Sequence, residues 1–216
     1  MTYEPVFFDI ETTGLHPLAQ PWWNSVEHGA MVICVGIGTV RNWRGSPDDA
    51  HKFTHVFSEE QEYVLLKDLK DRMMEFLDEC HGDIDDKEFF LVGWNSRQFD
   101  HPYIGARYSR LRLNGHPFSH GWKRLDLMRV AKNKTGRYRK QDEYVEEVTG
   151  KRHDDDITGS DVPDLYENNR VDKIMHHCRA DIRDLIDVFM ADREPAMQEF
   201  YDHYDIDRDA VFLEEI

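Results

Sequence analysis

Cysteine and long apolar runs are both scarce in this sequence. Its three cysteines, Cys34, Cys80 and Cys178, lie far apart and form no CxxC pair. That spacing argues against a disulfide framework or a zinc site, and it favours a reducing cytosol. The longest apolar run, residues 30–38, is far shorter than the about 20 residues that cross a bilayer. No basic segment followed by an apolar one opens the chain, so we expect a soluble cytoplasmic protein with no membrane partner.

The charge is large and unevenly distributed. The net charge is −16, yet residues 97–140 contain twelve Lys or Arg and only two acids. The remainder contains 15 bases and 41 acids. A basic middle on an acidic body predicts a groove for a polyanion, and therefore a nucleic-acid partner. The acidic body is also what a high-salt habitat would favour, and composition leaves the two explanations of it open.

The length and composition are those of a globular protein. Apolar residues make up 40% and charged residues 32% of 216 residues, which predicts one domain over 1–216. Its core is expected over residues 6–190, followed by a C-terminal helix and an acidic tail over 191–216. Strands are predicted at residues 6–11, 31–40, 52–57 and 88–94, and helices at 58–80, 99–111, 174–190 and 195–204. This order favours an α/β fold with a mixed β-sheet flanked by helices.

Two carboxylates interrupt the first predicted strand, FFDIETTGL, at Asp9 and Glu11. Residues two apart on a strand point to the same face, so both acids leave one side of the sheet. Burying two like charges is costly unless cations compensate them, and hard oxygen ligands suit Mg²⁺ or Mn²⁺. An edge strand with a solvated acidic face is the alternative, which this stretch alone leaves open.

Three further segments contain polar residues in informative positions. Asp100 falls near a helix N-terminus, where it is either a site residue or a capping residue. On the helix predicted at 174–190, Asp181 lies one turn beyond His177 and on the same face, whereas His176 is rotated away. A neutral imidazole there could take a proton from water. We expect Asp184 and Asp187 to be surface charges.

Two predicted loops bear on binding. Residues 132–140 (KNKTGRYRK) have no apolar periodicity and predict a mobile loop that follows phosphates, although a solvated charged face is the alternative. Residues 16–29 contain Trp22 and Trp23, which we expect to anchor the loop on the core rather than to stack on bases. The helix at 58–80 is expected to open with a capping box from Ser58 to Gln61.

Together these segments resemble the DEDD superfamily of 3′–5′ exonucleases, within the ribonuclease H-like fold. FDIETTGL is similar to the first motif, NSRQFDHPYI (95–104) to the second and HHCRAD (176–181) to the third. The second is closest to the exonuclease region of family B DNA polymerases and their stand-alone relatives. ITGSDVPDLY (157–166) resembles the segment before the third motif in those relatives. The resemblance covers about residues 6–190.

The resemblance implies a two-metal hydrolysis of phosphodiester bonds. Asp9, Glu11, Asp100 and Asp181 would bind two Mg²⁺ or Mn²⁺ ions, and His176 or His177 would be the general base. Members of the superfamily have either a His five residues before the last Asp or a Tyr four residues before it, and this difference defines two subtypes. This chain has His in both places, with helix geometry favouring His177. The residues implied to bind the 3′-terminal nucleotide are Thr12, Gly14, Leu15, Asn95 and Phe99.

The leading hypothesis is therefore a metal-dependent 3′–5′ exonuclease on single-stranded or frayed DNA. An exoribonuclease of the same fold is one alternative, because nothing in the sequence decides whether a 2′-hydroxyl is accepted. A non-catalytic nucleic-acid-binding subunit of a replication or repair complex is the other. Four acids that repel phosphate would be of no use to a pure binder, so the carboxylate set weighs against that alternative.

Overall fold

The computed structural model of the protein describes residues 2–14, 29–118 and 121–206, and a five-stranded sheet lies at its centre. The strands are β1 Thr2–Thr12, β2 Val32–Arg41, β3 His51–Ser58, β4 Lys87–Gly93 and β5 Lys123–Asp126. Their order across the sheet is β3-β2-β1-β4-β5. β1 and β3 are antiparallel to β2, whereas β4 runs parallel to β1 and β5 parallel to β4. The predicted α/β fold with a mixed sheet is confirmed.

Eight α-helices surround the sheet in the described part of the chain. They are α1 Glu62–Lys67, α2 Leu69–His81, α3 Asp100–Leu111, α4 Leu127–Thr135, α5 Gln141–Thr149, α6 Val162–Glu167, α7 Val171–Ala191 and α8 Arg193–Tyr204. A short 3-10 turn, Pro47–Asp49, precedes β3. No described helix is both long and apolar enough to cross a membrane.

The alternation of β1 divides its side chains between two apolar layers. Val6, Phe8 and Ile10 pack with residues of α1, α2 and α3 on one face. Phe7 packs on the other face with residues of α4, α5, α7 and α8. Asp9 follows two residues after Phe7 and so points towards α7, as the period of a strand requires. The predicted common face of the two acids is thereby confirmed.

Two glycines of β2 allow α7 to approach the sheet closely. A Cβ on Gly36 would lie 2.7 Å from Cγ1 of Ile182 and 2.8 Å from Sγ of Cys178. A Cβ on Gly38 would lie 2.6 Å from Cγ2 of Ile182. Because these two glycines have no side chains, Ile182 and Cys178 of α7 can lie directly against the backbone of β2, next to β1.

Several predicted elements differ in the structure. Ser58 is the last residue of β3 and its hydroxyl donates to the Ile33 carbonyl, so the capping box is wrong. The helix expected over 58–80 is two helices that meet at Asp68. Residues 132–135 are the end of α4 rather than part of a loop, and Gly136 terminates that helix in the left-handed region. β5, α4, α5 and α6 were not predicted.

The remaining predicted elements agree with the structure. β2, β3, β4, α3, α7 and α8 correspond to predicted segments. Leu15, the pair Trp22 and Trp23, and most of the acidic tail lie outside the described residues. The single-domain organisation stays a prediction.

Candidate active site

The end of β1 presents the first two carboxylates beneath α7. The ladder with β2 shifts register between Glu11 and Thr12, and this irregularity ends the regular pairing directly after the acids. Thr13 then closes the turn, because its backbone N–H donates to the Met31 carbonyl and its hydroxyl accepts from the Met31 N–H, both at 2.9 Å. The end of β1, which contains Asp9 and Glu11, is thus held by the ladder with β2 before the acids and by the Thr13–Met31 hydrogen bonds after them.

Asp100 enters the site from the start of α3. The turn between β4 and α3 is tight, since a Cβ on Gly93 would lie 2.6 Å from Cβ of Ser96. Phe99 is the N-cap residue, and no described side chain caps the helix. The Asp100 side chain is buried, and its loss of water raises its pKa to about 7. Its position at the first turn matches the sequence prediction.

The third group of side chains comes from the middle of α7. His177 Nε2 lies 3.4 Å from Oδ2 of Asp181 and 3.7 Å from Oε1 of Glu11. His177 is buried, whereas the adjacent His176 is exposed. The Cys178 thiol points to Asp9, with Sγ 3.8 Å from Oδ2. Of the two candidate bases, the structure brings only His177 to the carboxylates.

Burial makes these carboxylates hard to ionise. Desolvation, followed by the charge of Asp100, raises the pKa of Asp9 well above its ordinary value. Desolvation and then the charge of Asp9 do the same for the pKa of Glu11. The pKa of Asp181 rises to about 7, mainly because it is desolvated and then because Asp9 is near. The four acids thus form one mutually repelling cluster.

The donor set fits divalent cations. Within the described ranges, no Lys or Arg forms an ion pair with any of the four acids, and the basic side chains nearest to Glu11 and Asp181 are His153 and His177. Asp9, Glu11 and Cys178 each offer an atom within 4.8 Å of the others, as do His153, His177 and Asp181. Clustered carboxylate oxygens without a cationic side chain are ligands suited to Mg²⁺ or Mn²⁺.

Two cavities meet at His177 and Asp181. One, of about 560 Å³, is also lined by the predicted nucleotide-binding residues Thr12, Gly14 and Phe99. The other, of about 530 Å³, lies beside His153 and the start of α5. Asn95 is not among the described residues that line either cavity, and its backbone N–H donates to Oδ1 of Asp126 at 3.0 Å.

A polar cluster that was not predicted from the sequence lies on the far side of His177. Asp155 Oδ1 lies 3.2 Å from His177 Nδ1 and 3.2 Å from His153 Nε2. Oδ2 of Asp184 lies 2.7 Å from His153 Nδ1, and this hydrogen bond is the main cause that raises the pKa of His153 to about 9. The sequence offers one signal for this cluster, the run HDDD at residues 153–156. Because its contacts to α7 are not visible in the sequence, the run alone predicts a solvated loop.

The expected surface positions of two acids are also wrong. Asp184 is buried against His153. Asp187 is half-buried and accepts from both Lys52 and Lys151. Both face neighbouring segments because α7 packs against the sheet on one side and the loop after α5 on another.

Much of the basic middle has structural partners. Arg107 forms a buried ion pair with Glu62, and Arg139 pairs with Glu147. By contrast, Arg137, Tyr138 and Lys140 are exposed in the segment that joins α4 to α5. The segment made of residues 136–140 is called the basic segment below. Lys140 lines the cavity of about 530 Å³, so the basic segment ends beside a cavity that Asp181 also lines.

Comparisons with known proteins identify the superfamily and support the fold. The RNase H superfamily model matches residues 6–191. Among solved structures, the chain is similar to the family B DNA polymerase from the hyperthermophilic archaeon Pyrobaculum calidifontis, at 17% identity and a TM-score of 0.61. That match covers 88% of this chain but 24% of the polymerase chain, and at this identity it shows the fold alone. No curated protein matches the chain. Because the family model spans most of its length, the chain belongs to the RNase H superfamily.

Proposed function

We propose that this protein is a metal-dependent 3′–5′ exonuclease that hydrolyses single-stranded or frayed DNA. The observation that carries the proposal is the cluster of four carboxylates beside His177, without a Lys or Arg partner in the described chain. The superfamily membership supports a nuclease. The motif resemblance and the exposed cations of the basic segment support the polarity and the substrate.

Asp9, Glu11, Asp100 and Asp181 are the residues that would hold two Mg²⁺ or Mn²⁺ ions. Such ions supply positive charge against the scissile phosphate and make nearby water more acidic. The acids need that charge, because their raised pKa values show that the folded protein disfavours four bare carboxylates. Binding of cations and ionisation of the cluster are therefore coupled.

His177 is the proposed general base. Asp155 accepts a hydrogen bond from its Nδ1–H, which leaves Nε2 as an acceptor facing Glu11 and Asp181. Nε2 takes the proton of the attacking water as the water oxygen bonds to phosphorus. The bond from phosphorus to the 3′-oxygen of the preceding nucleotide then breaks. That oxygen takes a proton from solvent water to become the new 3′-hydroxyl, and a nucleoside 5′-monophosphate is released. Proton removal of this kind typically contributes about 10²–10⁴-fold.

The two cavities suggest how the strand is held. Thr12, Gly14 and Phe99 line the pocket proposed for the 3′-terminal nucleotide, on one side of Asp181. The ring of Phe99 is half-buried and tilted against Tyr103, so it is held in place for contact with a base. The basic segment borders the other cavity and would follow the phosphates of the strand.

The test is degradation of 5′-labelled and 3′-labelled single-stranded DNA and RNA, with Mg²⁺, Mn²⁺ or a chelator. We expect a cation-dependent ladder that shortens from the 3′ end, and a loss of at least about 10²-fold in Asp9→Asn, which removes a ligand at almost constant volume. A ladder on RNA but not on DNA would mean that RNA, rather than DNA, is the substrate. A folded protein that binds strands but cuts none at low or molar salt would overturn the proposal in favour of a binding module.

A further inference from the structure

The polar cluster beyond His177 has the geometry of a metal site of its own. Three potential ligand atoms, His153 Nε2, His177 Nδ1 and Asp155 Oδ1, surround one point. The two nitrogen–oxygen distances are both 3.2 Å, and the nitrogen–nitrogen distance is 3.4 Å. Ligands about 2.0–2.1 Å from a tetrahedral Zn²⁺ are separated by about 3.3–3.4 Å. The three edges of this triangle are therefore those of one face of a zinc tetrahedron.

Without a metal ion, hydrogen bonds account for the two contacts to Asp155, since 3.2 Å is the long end of ordinary N–H···O distances, but they leave the two ring nitrogens without a bond to each other. A charge-assisted N–H···O bond is typically about 2.7–2.9 Å long, and the contact from His153 to Asp184 has that length at 2.7 Å. The contacts within the triangle are all longer. If His153 Nε2 and His177 Nδ1 both carry a hydrogen, neither nitrogen can accept from the other, although they lie 3.4 Å apart. A shared cation satisfies all three atoms at once.

The surroundings supply the other features of a metal site. Asp184 accepts from His153 Nδ1, which orients the ring and makes Nε2 a stronger ligand once it has lost its proton. The Asp155 side chain is only 10% exposed, and its buried Oδ2 has no hydrogen-bond partner among the described residues. The triangle borders the cavity of about 530 Å³, from which water could complete the coordination.

We propose that His153, His177 and Asp155 bind one Zn²⁺ ion at a site distinct from the four-carboxylate cluster. The ligands are imidazole and carboxylate, so the site is independent of the widely spaced cysteines that argued against zinc. Imidazole nitrogen favours Zn²⁺ over Mg²⁺, whose ligands are oxygens. The two sites thus select different ions although Asp181 and His177 lie side by side.

Occupation of this site has a consequence that rests on the proposed function. An imidazole bound through Nδ1 keeps its remaining hydrogen on Nε2 in the neutral form. His177 would then donate towards Glu11 and Asp181 and could not accept a proton from water. Zn²⁺ at the triangle is therefore inhibitory, whereas Mg²⁺ or Mn²⁺ at the carboxylates supports hydrolysis.

The binding test uses the full chain, stripped with a chelator and dialysed against Zn²⁺ at about pH 8, because Zn²⁺ replaces a proton on His153. Metal content, Zn²⁺ titration and the visible absorption of Co²⁺ as a substitute are measured for wild type, His153→Gln and Asp9→Asn. We expect one tightly held ion and tetrahedral Co²⁺ absorption in wild type and in Asp9→Asn. The affinity of His153→Gln for Zn²⁺ should fall by at least about 10-fold. Losing a residue that only hydrogen-bonds to a metal ligand already costs about 10–100-fold, and His153 is itself a proposed ligand.

Equal Zn²⁺ affinity in wild type and His153→Gln would overturn the site, as would loss of binding in Asp9→Asn alone. If His153→Gln does not fold, Asp184→Asn removes the outer partner and should lower affinity by about 10–100-fold. In the nuclease assay, Zn²⁺ should inhibit the Mg²⁺-supported reaction, and the half-inhibitory concentration should rise at least about 10-fold in His153→Gln. These spectroscopic and metal-content results stand even if the protein cuts no strand, so the two proposals fail separately.

Discussion

The adjacent histidines of α7 occupy different environments. His177 is buried within hydrogen-bonding distance of Asp181 and Asp155, whereas His176, rotated by about 100° around the helix, is exposed. We expect His177→Gln to lower kcat by about 10²–10⁴-fold, because no other described imidazole lies beside Glu11. His176→Gln is the matched control and should keep wild-type kcat. Single-turnover cleavage measures both, with melting temperatures to show that both variants fold.

A similar loss in both variants would assign the effect to the helix rather than to one ring. A loss in His176→Gln alone would mean that the exposed ring performs the proton transfer and that α7 rotates when substrate binds. Either outcome would remove His177 from the proposed mechanism.

Individual site residues were predictable where the period of one element determines their direction. Asp9 and Glu11 follow from strand alternation, and His177 with Asp181 from the helical repeat. His153 and Asp155 were not predictable in this way, because they belong to an irregular stretch whose direction is set by contacts with α7. The sequence therefore located the carboxylates but not the polar cluster behind the proposed base.

At the scale of elements, the close approach of α7 to β2 depends on a missing side chain. Gly36→Ala would place a Cβ 2.7 Å from Ile182 and 2.8 Å from Cys178, both in the buried face of α7. We expect a loss of about 1–3 kcal/mol in the free energy of unfolding, as for other overpacked cores. Because α7 carries His177, cleavage should also slow.

Gly45→Ala serves as the control for this prediction, since its new Cβ would lie 3.5 Å from the Asn42 carbonyl oxygen, which is an ordinary contact distance. Urea unfolding of both variants checks the stability change, and the Gly45 variant should remain close to wild type. A Gly36 variant as stable as wild type would show that α7 can move away from the sheet without cost.

The basic segment is the element expected to contact the strand. The double variant Arg137→Glu and Lys140→Glu should weaken binding of single-stranded DNA. The slope of log affinity against log salt should flatten by about 1.4, at about 0.7 for each lost phosphate contact. The matched control pair is exposed Lys67 of α1 and exposed Lys70 of α2, because both helices pack on the opposite face of the sheet.

Fluorescence anisotropy over a range of salt concentrations measures both slopes. If the control pair changes the slope as much as the basic segment does, the attraction is a property of overall charge and not of a defined path. The choice of Arg137 and Lys140 follows from the structure, since Arg139 is already paired with Glu147.

Elements were predictable when they were long and periodic. β2 has nine buried residues among its ten, and the 21-residue α7 has apolar buried residues at helical spacing from Ile174 to Phe189. β5 has only four residues, two of them basic, so neither its period nor its composition indicates a strand. Only parallel pairing with β4 defines it, and that contact is not visible in the sequence.

At the scale of the whole molecule, the acidic charge should make stability depend on salt. The net charge is −16, and like charges on a compact body repel each other more than on an unfolded chain. The screening length falls from about 30 Å at 0.01 M to about 3 Å at 1 M salt. We expect the urea midpoint to rise with NaCl over this range while the m-value stays constant. A midpoint that falls with salt would mean that attractive surface ion pairs outweigh the repulsion.

The candidate site joins the first strand of the sheet to a helix that comes much later in the chain. Asp9 belongs to β1 and Asp181 to α7, and the carboxylates become a cluster only when α7 packs on the sheet. A ribosome adds about 5–20 residues per second, so on the order of ten seconds separates the synthesis of the two acids. During that interval the nascent chain has the first acids but not the complete cluster. The centre proposed for hydrolysis is therefore assembled only after the late helix has been made and has docked on the sheet.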